Sequence, residues 1–157
     1  MSKASKAKGF GIGAILIAAP LVMVFEGLEL STYDDPVGIP TACYGETDRE
    51  FLSIKDTFTR EECTLALGAS LAKHAAEVAE CVRVPVTSNE AGAIISWSYN
   101  IGTNAACTST LMRKLNSGMD AEDWCPELKR WVYAGGKKLR GLERRREAEF
   151  KMCVGEQ

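Results

Sequence analysis

A run of seventeen residues without a charge, positions 9–25 (GFGIGAILIAAPLVMVF), limits what this chain can fold into more than any other feature. Apolar side chains at that density need either a partner surface in water or a bilayer around them. The run sits at the lower limit for crossing a bilayer, which takes roughly 17–25 apolar residues. Six of its residues are Gly or Ala, so its total hydrophobicity is weak for a permanent anchor. Lys3, Lys6 and Lys8 precede it with no acid beside them, the layout of an export signal. Lysines at that end favour keeping it on the cytoplasmic side with the remainder outside. The expectation is export to the periplasm, with the chain at first tethered to the inner membrane through residues 9–25. Ala18 and Ala19 offer small residues for cleavage, but Pro20 follows directly and a cut there leaves Glu26 almost at the new terminus, so retention is expected. A buried core helix is the other reading, and one segment can serve both purposes in turn.

Six cysteines, Cys43, Cys63, Cys81, Cys107, Cys125 and Cys153, exceed what a reduced protein of 157 residues usually carries, and none forms a CxxC pair of the kind that binds zinc. A disulfide framework in an oxidising compartment fits export, although fifteen pairings stay open. The net charge of −2 conceals a split: residues 26–112 carry 5 basic and 13 acidic side chains, whereas residues 113–151 carry 11 basic and 7 acidic. Such halves could grip a partly anionic polymer beside a carboxylate site, or be ordinary solvated surface. The run Arg144-Arg145-Arg146 on a chain of pI about 5.5 gives poor support for nucleic-acid binding. His74, the single histidine, reads as a helix-surface residue, and no metal or other cofactor is expected. Helical spacing assigns Trp97, Trp124 and Trp131 to core packing.

The length allows one compact domain, or two small lobes sharing a helix. The helical pattern continues over residues 26–30, then Tyr33-Asp34-Asp35-Pro36, Gly38 and Pro40 break it into turns. Residues 37–44 read as a short hairpin. A capping-box pattern from Thr59 to Glu62 opens a long helix to about Val82, which Pro85 stops. Its ~24 residues would reach ~36 Å, enough to join two lobes across a cleft. A second box, Thr87 to Glu90, opens a helix to Ile101 that Gly102 ends. Further helices are expected over about 108–116, 120–133 and 141–154, the first closed by Gly118 and the second by Gly135-Gly136. The class is α+β, mostly helical.

Cleaving a glycosidic bond takes one protonated carboxyl for the leaving oxygen and one ionised carboxylate for water or as nucleophile. Glu26, at the end of the apolar run, sits where burial favours the protonated form, and Asp35, in a polar turn, should stay ionised. Thr41 on the hairpin could hold the attacking water. Singly, each has a plain structural reading: a residue flanking a membrane segment, a turn and a strand.

Together they carry a resemblance. FEGLELSTYDDPVGIPTACYGET is similar to the catalytic segment of the phage-type lysozymes, or endolysins, of the T4 and lambdoid class, with Glu, eight residues, Asp, five residues, Thr as the active-site pattern. The similarity runs on through SWSYNIG, TSTLMRKLNSG, RWVYAGGKKLRGL and RREAE, and so covers residues 22–154. It implies a lysozyme-like fold with a small β-hairpin lobe (26–58), a connecting helix (59–83) and a helical lobe (84–157). It makes Glu26 the general acid, with Asp35 and Thr41 holding water, for hydrolysis of peptidoglycan glycan strands by a monomer. Tyr99 and Thr110 would line the cleft from the helical lobe and Gly45 from the β lobe, while Arg145 would hold the catalytic glutamate. It also implies the pairings Cys43 with Cys63, Cys125 with Cys153 and Cys81 with Cys107. Where the family often has His after CYG this chain has Glu46, an extra acid near the site.

Secreted members of the class often carry a signal-anchor-release segment, and residues 1–25 resemble one. In lipid it would strand Glu26 at the bilayer surface; release would let residues 10–30 form the first helix and bring Glu26 into the cleft. Residues 1–25 hold no cysteine, so an anchor thiol cannot reshuffle a blocking disulfide. The rival readings are an inactive, membrane-tethered envelope-binding protein, and a transglycosylase or chitinase using the same acid.

Overall fold

The computed structural model describes residues 10–156; Lys3, Lys6, Lys8 and Gly9 lie outside the described residues. The apolar run folds as helix α1, Ile12–Glu26, which turns Ala14, Ala18 and Val22 inward at four-residue spacing. Gly27 ends it with φ 72°, its N–H bonding the Met23 carbonyl at 3.1 Å. A positive φ of this kind strains any residue with a Cβ, so the helical pattern expected to reach residue 30 stops at Glu26. Strand β1, Glu29–Asp34, follows at once and pairs antiparallel with β2, Pro40–Cys43, Tyr33 standing opposite Thr41. The hairpin therefore begins eight residues earlier than position 37, and Val37 lies in its turn. Asp35 makes that turn, its carboxylate accepting the N–H groups of Val37 and Ile39 at 2.9 and 2.8 Å.

A short helix α2, Arg49–Leu52, leads to α3, Arg60–Ala79, whose N-terminus carries the full capping box of Thr59 and Glu62. Cys63, Leu67, Leu71, Ala75 and Val78 form its buried stripe. After Ala79 the spiral tightens to i→i−3 bonds that carry it to Val82, so the α-helical part is 20 residues, ~30 Å. Helix α4, Ser88–Ile101, opens with the Thr87–Glu90 capping box and is buried from Ala91 to Ser98. Helix α6, Thr110–Asn116, fills the expected 108–116 stretch, and a short helix α5, Thr103–Cys107, which the sequence pattern does not announce, precedes it. Pro126 splits the expected 120–133 helix into α7, Ala121–Trp124, and a 3-10 turn, Cys125–Arg130. Gly135 and Gly136 are the turn of a two-residue ladder between β3, Tyr133–Ala134, and β4, Lys137–Lys138, rather than a helix end. Helix α8, Arg140–Cys153, closes the chain.

Two apolar clusters share α4. One gathers α1, β2, α3 and the start of α4; the other gathers the end of α3 with α4, α6, α7 and α8. Trp97 and Trp124 are fully buried in the second, while Trp131 only half-buries against the edge of Trp97. Disulfides Cys43–Cys63, Cys81–Cys107 and Cys125–Cys153 pin β2 to α3, the end of α3 to α5, and the 3-10 turn to α8. These are the pairings the family resemblance implied, and each contributes about 2–4 kcal/mol.

The seat of α1 on α4 is unusually close: a Cβ on Gly92 would lie 2.8 Å from Ile17 Cγ2. Gly92→Ala is expected to lower stability by about 1–3 kcal/mol through this overlap. Thermal unfolding measures it, and an unchanged midpoint would contradict the described packing.

Candidate functional site

Glu26 is the last residue of α1, and the turn at Gly27 leaves its side chain at the junction of α1, α8 and the loop after β2. Its side chain keeps 22% of its exposure, and Oε1 takes a 2.6 Å ion pair from Arg145 Nη1. Arg145 is itself buried at 3% exposure on α8. Gly45 forms the opposite wall: a Cβ there would stand 3.0 Å from Glu26 Oε2, and its φ of 73° also calls for glycine. Cys43, φ 57°, holds a left-handed conformation two residues earlier, and its disulfide to α3 fixes that bend.

Tyr99, from α4, donates its hydroxyl to the Tyr44 carbonyl at 2.9 Å, which joins the helical lobe to the same loop. Burial first, then the charges of Glu26 and Glu46, push this phenol far above its usual range, so it remains a donor throughout. Asp35 and Thr41 meet through Ile39, whose N–H bonds Asp35 and whose carbonyl accepts the Thr41 hydroxyl at 2.9 Å. Thr41 is buried and Asp35 partly exposed. Thr110 stands at the start of α6, its hydroxyl bonded by Arg113, beside a cavity of about 250 Å³ that Glu127, Arg130 and Trp131 also line. The structure thus gathers Glu26, Gly45 and Arg145 in one contact set, with Tyr99 bonded to Tyr44 on the adjoining loop, and Asp35 with Thr41 in another, while Thr110 belongs to the α6 side.

Glu46, the extra acid near the site, turns inward, accepting the N–H groups of Thr47 and Asp48 at 3.1 and 2.9 Å and the Ser70 hydroxyl of α3. His74 is not a plain surface residue: it half-buries with its ring edge-on to Tyr99 at 5.1 Å. The arginine run also divides, since Arg145 and Arg146 point into the protein and only Arg144 is exposed.

Sequence reasoning missed the support behind Arg145. Its Nε reaches Glu149 at 3.2 Å and its Nη2 the Ser96 carbonyl at 3.1 Å, while the Ser96 hydroxyl donates to Glu149 at 2.8 Å. Arg146 pairs with Glu149 at 2.8 Å and bonds Asn100 at 2.7 Å. The available signal was RREAE on a helix, where positions 145 and 146 both face 149 at i,i+4 and i,i+3 spacing.

A family model described as phage lysozyme matches residues 23–149. A protein named SAR-endolysin of Enterobacteria phage P21 is 38% identical over 94% of this chain and 92% of its own length. Among solved structures, the endolysin of Escherichia coli phage FAHEc1 superposes with TM-score 0.74 at 31% identity, covering 88% of this chain and 90% of that one. A P22 lysozyme mutant gives TM-score 0.77 at 27% identity, covering 93% and 98%.

Two outcomes follow from this geometry. Gly45→Ala is expected to slow glycan cleavage at least tenfold by displacing the Glu26 carboxylate, while the backbone strain lowers stability by about 1–2 kcal/mol. Lysis rate and unfolding midpoint, measured together, test it; full activity would contradict it. Burial, with Lys73 adding and Glu77 and Glu46 opposing, holds His74 below the ordinary histidine value. The unfolded chain then binds this proton at higher pH than the folded one, so stability falls as pH drops through the ordinary histidine range. His74→Gln should flatten the decline of melting temperature below about pH 6.5, and coincident curves for the two proteins would contradict this.

Proposed function

The chain belongs to the phage lysozyme family, and from that premise we propose that it is an endolysin hydrolysing the β-1,4 bond between N-acetylmuramic acid and N-acetylglucosamine in peptidoglycan. Glu26 donates the proton to the leaving oxygen. Asp35 and Thr41 hold the water that attacks the sugar directly, which inverts the anomeric centre. Tyr99 and Gly45 bound the cleft beside Glu26, Thr110 lines it farther along, and Arg145 fixes the carboxyl that must meet the substrate. The observation that carries this reading is the partly buried Glu26 carboxyl, clamped between Arg145 and the glycine wall within a family match that spans Glu26, Asp35 and Thr41.

The apolar run fits a tether that is later released. Among the described residues no helix is long and apolar enough to cross a membrane. Folded α1 nevertheless exposes Ile12, Leu16 and Val24, at 76%, 66% and 75%, where a helix made only for water would carry charges. While residues 9–25 lie in lipid, Glu26 cannot reach Arg145, and the tethered chain is inactive. Release to the periplasm lets α1 seat on α4 and completes the site. The released enzyme acts as a monomer.

Glu26→Gln keeps the shape of the site and removes the proton donor, so lysis of outer-membrane-permeabilised bacteria should fall by about 100-fold or more. Equal turbidity loss with parent and variant would end the assignment. Mass analysis of the fragments identifies the bond cut, and anhydro ends would mark a transglycosylase instead.

A further inference from the structure

A general acid must be able to carry a proton, and Glu26 sits 2.6 Å from the Arg145 guanidinium. Arg146, one residue on, lies in the same buried cluster, and neither arginine can shed its charge in a protein. Two fixed cations would therefore bear on Glu26 if nothing opposed them. Glu149 opposes both. It has no exposure at all, and its two carboxylate oxygens are engaged by Arg145, by Arg146 and by the Ser96 hydroxyl.

We propose that Glu149 is a positioning residue whose buried negative charge offsets Arg145 and Arg146, so that Glu26 is held in place by a guanidinium without being locked as a carboxylate. This rests on the reading of Glu26 as proton donor. The charge count supports it: two carboxyl groups face two guanidinium groups, and Glu26 is the member with access to solvent and substrate. When Glu26 takes up its proton, Glu149 remains to pair with Arg145, so the arginine is never left buried without a partner. Burial pushes the Glu149 carboxyl above its usual range, with Arg146, Arg145 and the Ser96 hydroxyl opposing that rise. Because burying two permanent cations without it would be far costlier, the ionised form is the one the cluster holds.

Other groups around Glu26 do not perform this task. Tyr99 of α4 is neutral, Glu46 of the loop after β2 is committed to Ser70 and two backbone N–H groups, and His74 of α3 lies behind the Tyr99 ring. α1 has no other charged residue, and Asp35 stands on the hairpin with its own two N–H donors.

The test compares the full-length parent with Glu149→Gln and Arg146→Gln, following Glu26 by carbon-13 NMR of its side-chain carboxyl and by the pH profile of glycan hydrolysis. Removing the anion should move the Glu26 titration down by about one pH unit or more, and removing the cation should move it up. The alkaline limb of kcat should travel with it in each direction. Opposite signs from two substitutions in one cluster cannot arise from loosened packing, and if Glu149→Gln alone fails to fold, the charge-balanced double variant Arg146→Gln with Glu149→Gln should titrate below Arg146→Gln, reading the effect of the anion directly. An unmoved Glu26 titration, or shifts of the same sign, overturns the inference. Titrations that shift as stated while the kcat limb stays fixed uphold the charge balance and instead refute Glu26 as the proton donor.

Discussion

The ion pair between Glu26 and Arg145 joins residues 119 apart in sequence and is the contact on which the site depends. It ties the C-terminus of α1 to the middle of α8 and so fixes where the first helix ends relative to the last. Gly27 turns the chain away at that point, and Gly45 leaves room for the carboxyl on its other side. Any other ending of α1 would carry the acid out of reach of both.

The inner face of α8 carries charge beside its apolar side chains, Phe150, Met152 and Cys153. Arg145, Arg146 and Glu149 are about as buried as Trp97 and Trp124 of the neighbouring cluster, and α4 accommodates them with Ser96 and Asn100. Buried ions are costly unless mutually paired, so this arrangement gives specificity of placement more than stability. Stability comes from elsewhere: the small-residue seat of α1 on Gly92, two apolar clusters and three disulfides.

Local signals in the sequence were read well where the chemistry is local. Both capping boxes, Thr59 with Glu62 and Thr87 with Glu90, open helices at the expected residues, because one side chain bonds a backbone group three residues away. The mostly helical, lysozyme-like fold followed from motifs in register. Boundaries failed where a competing turn residue won: Gly27 ended α1 early, Pro126 split a helix, and Gly135-Gly136 made a hairpin. The contact of Glu26 with Arg145 was implied by family resemblance alone, since nothing local links positions so far apart. Glu149 escaped notice because a buried carboxylate has no hydrophobic pattern to announce it. The inward turn of Glu46 depends on Ser70, on a helix that only the folded chain brings near.

The most direct measurement is a crystal structure of the Glu26→Gln variant holding an uncleaved muramyl oligosaccharide. The side-chain amide of residue 26 is expected about 3 Å from the bridging glycosidic oxygen, with Arg145 behind it and a water between Asp35, Thr41 and the anomeric carbon. A glycan bound elsewhere, or with its scissile bond away from residue 26, would contradict it.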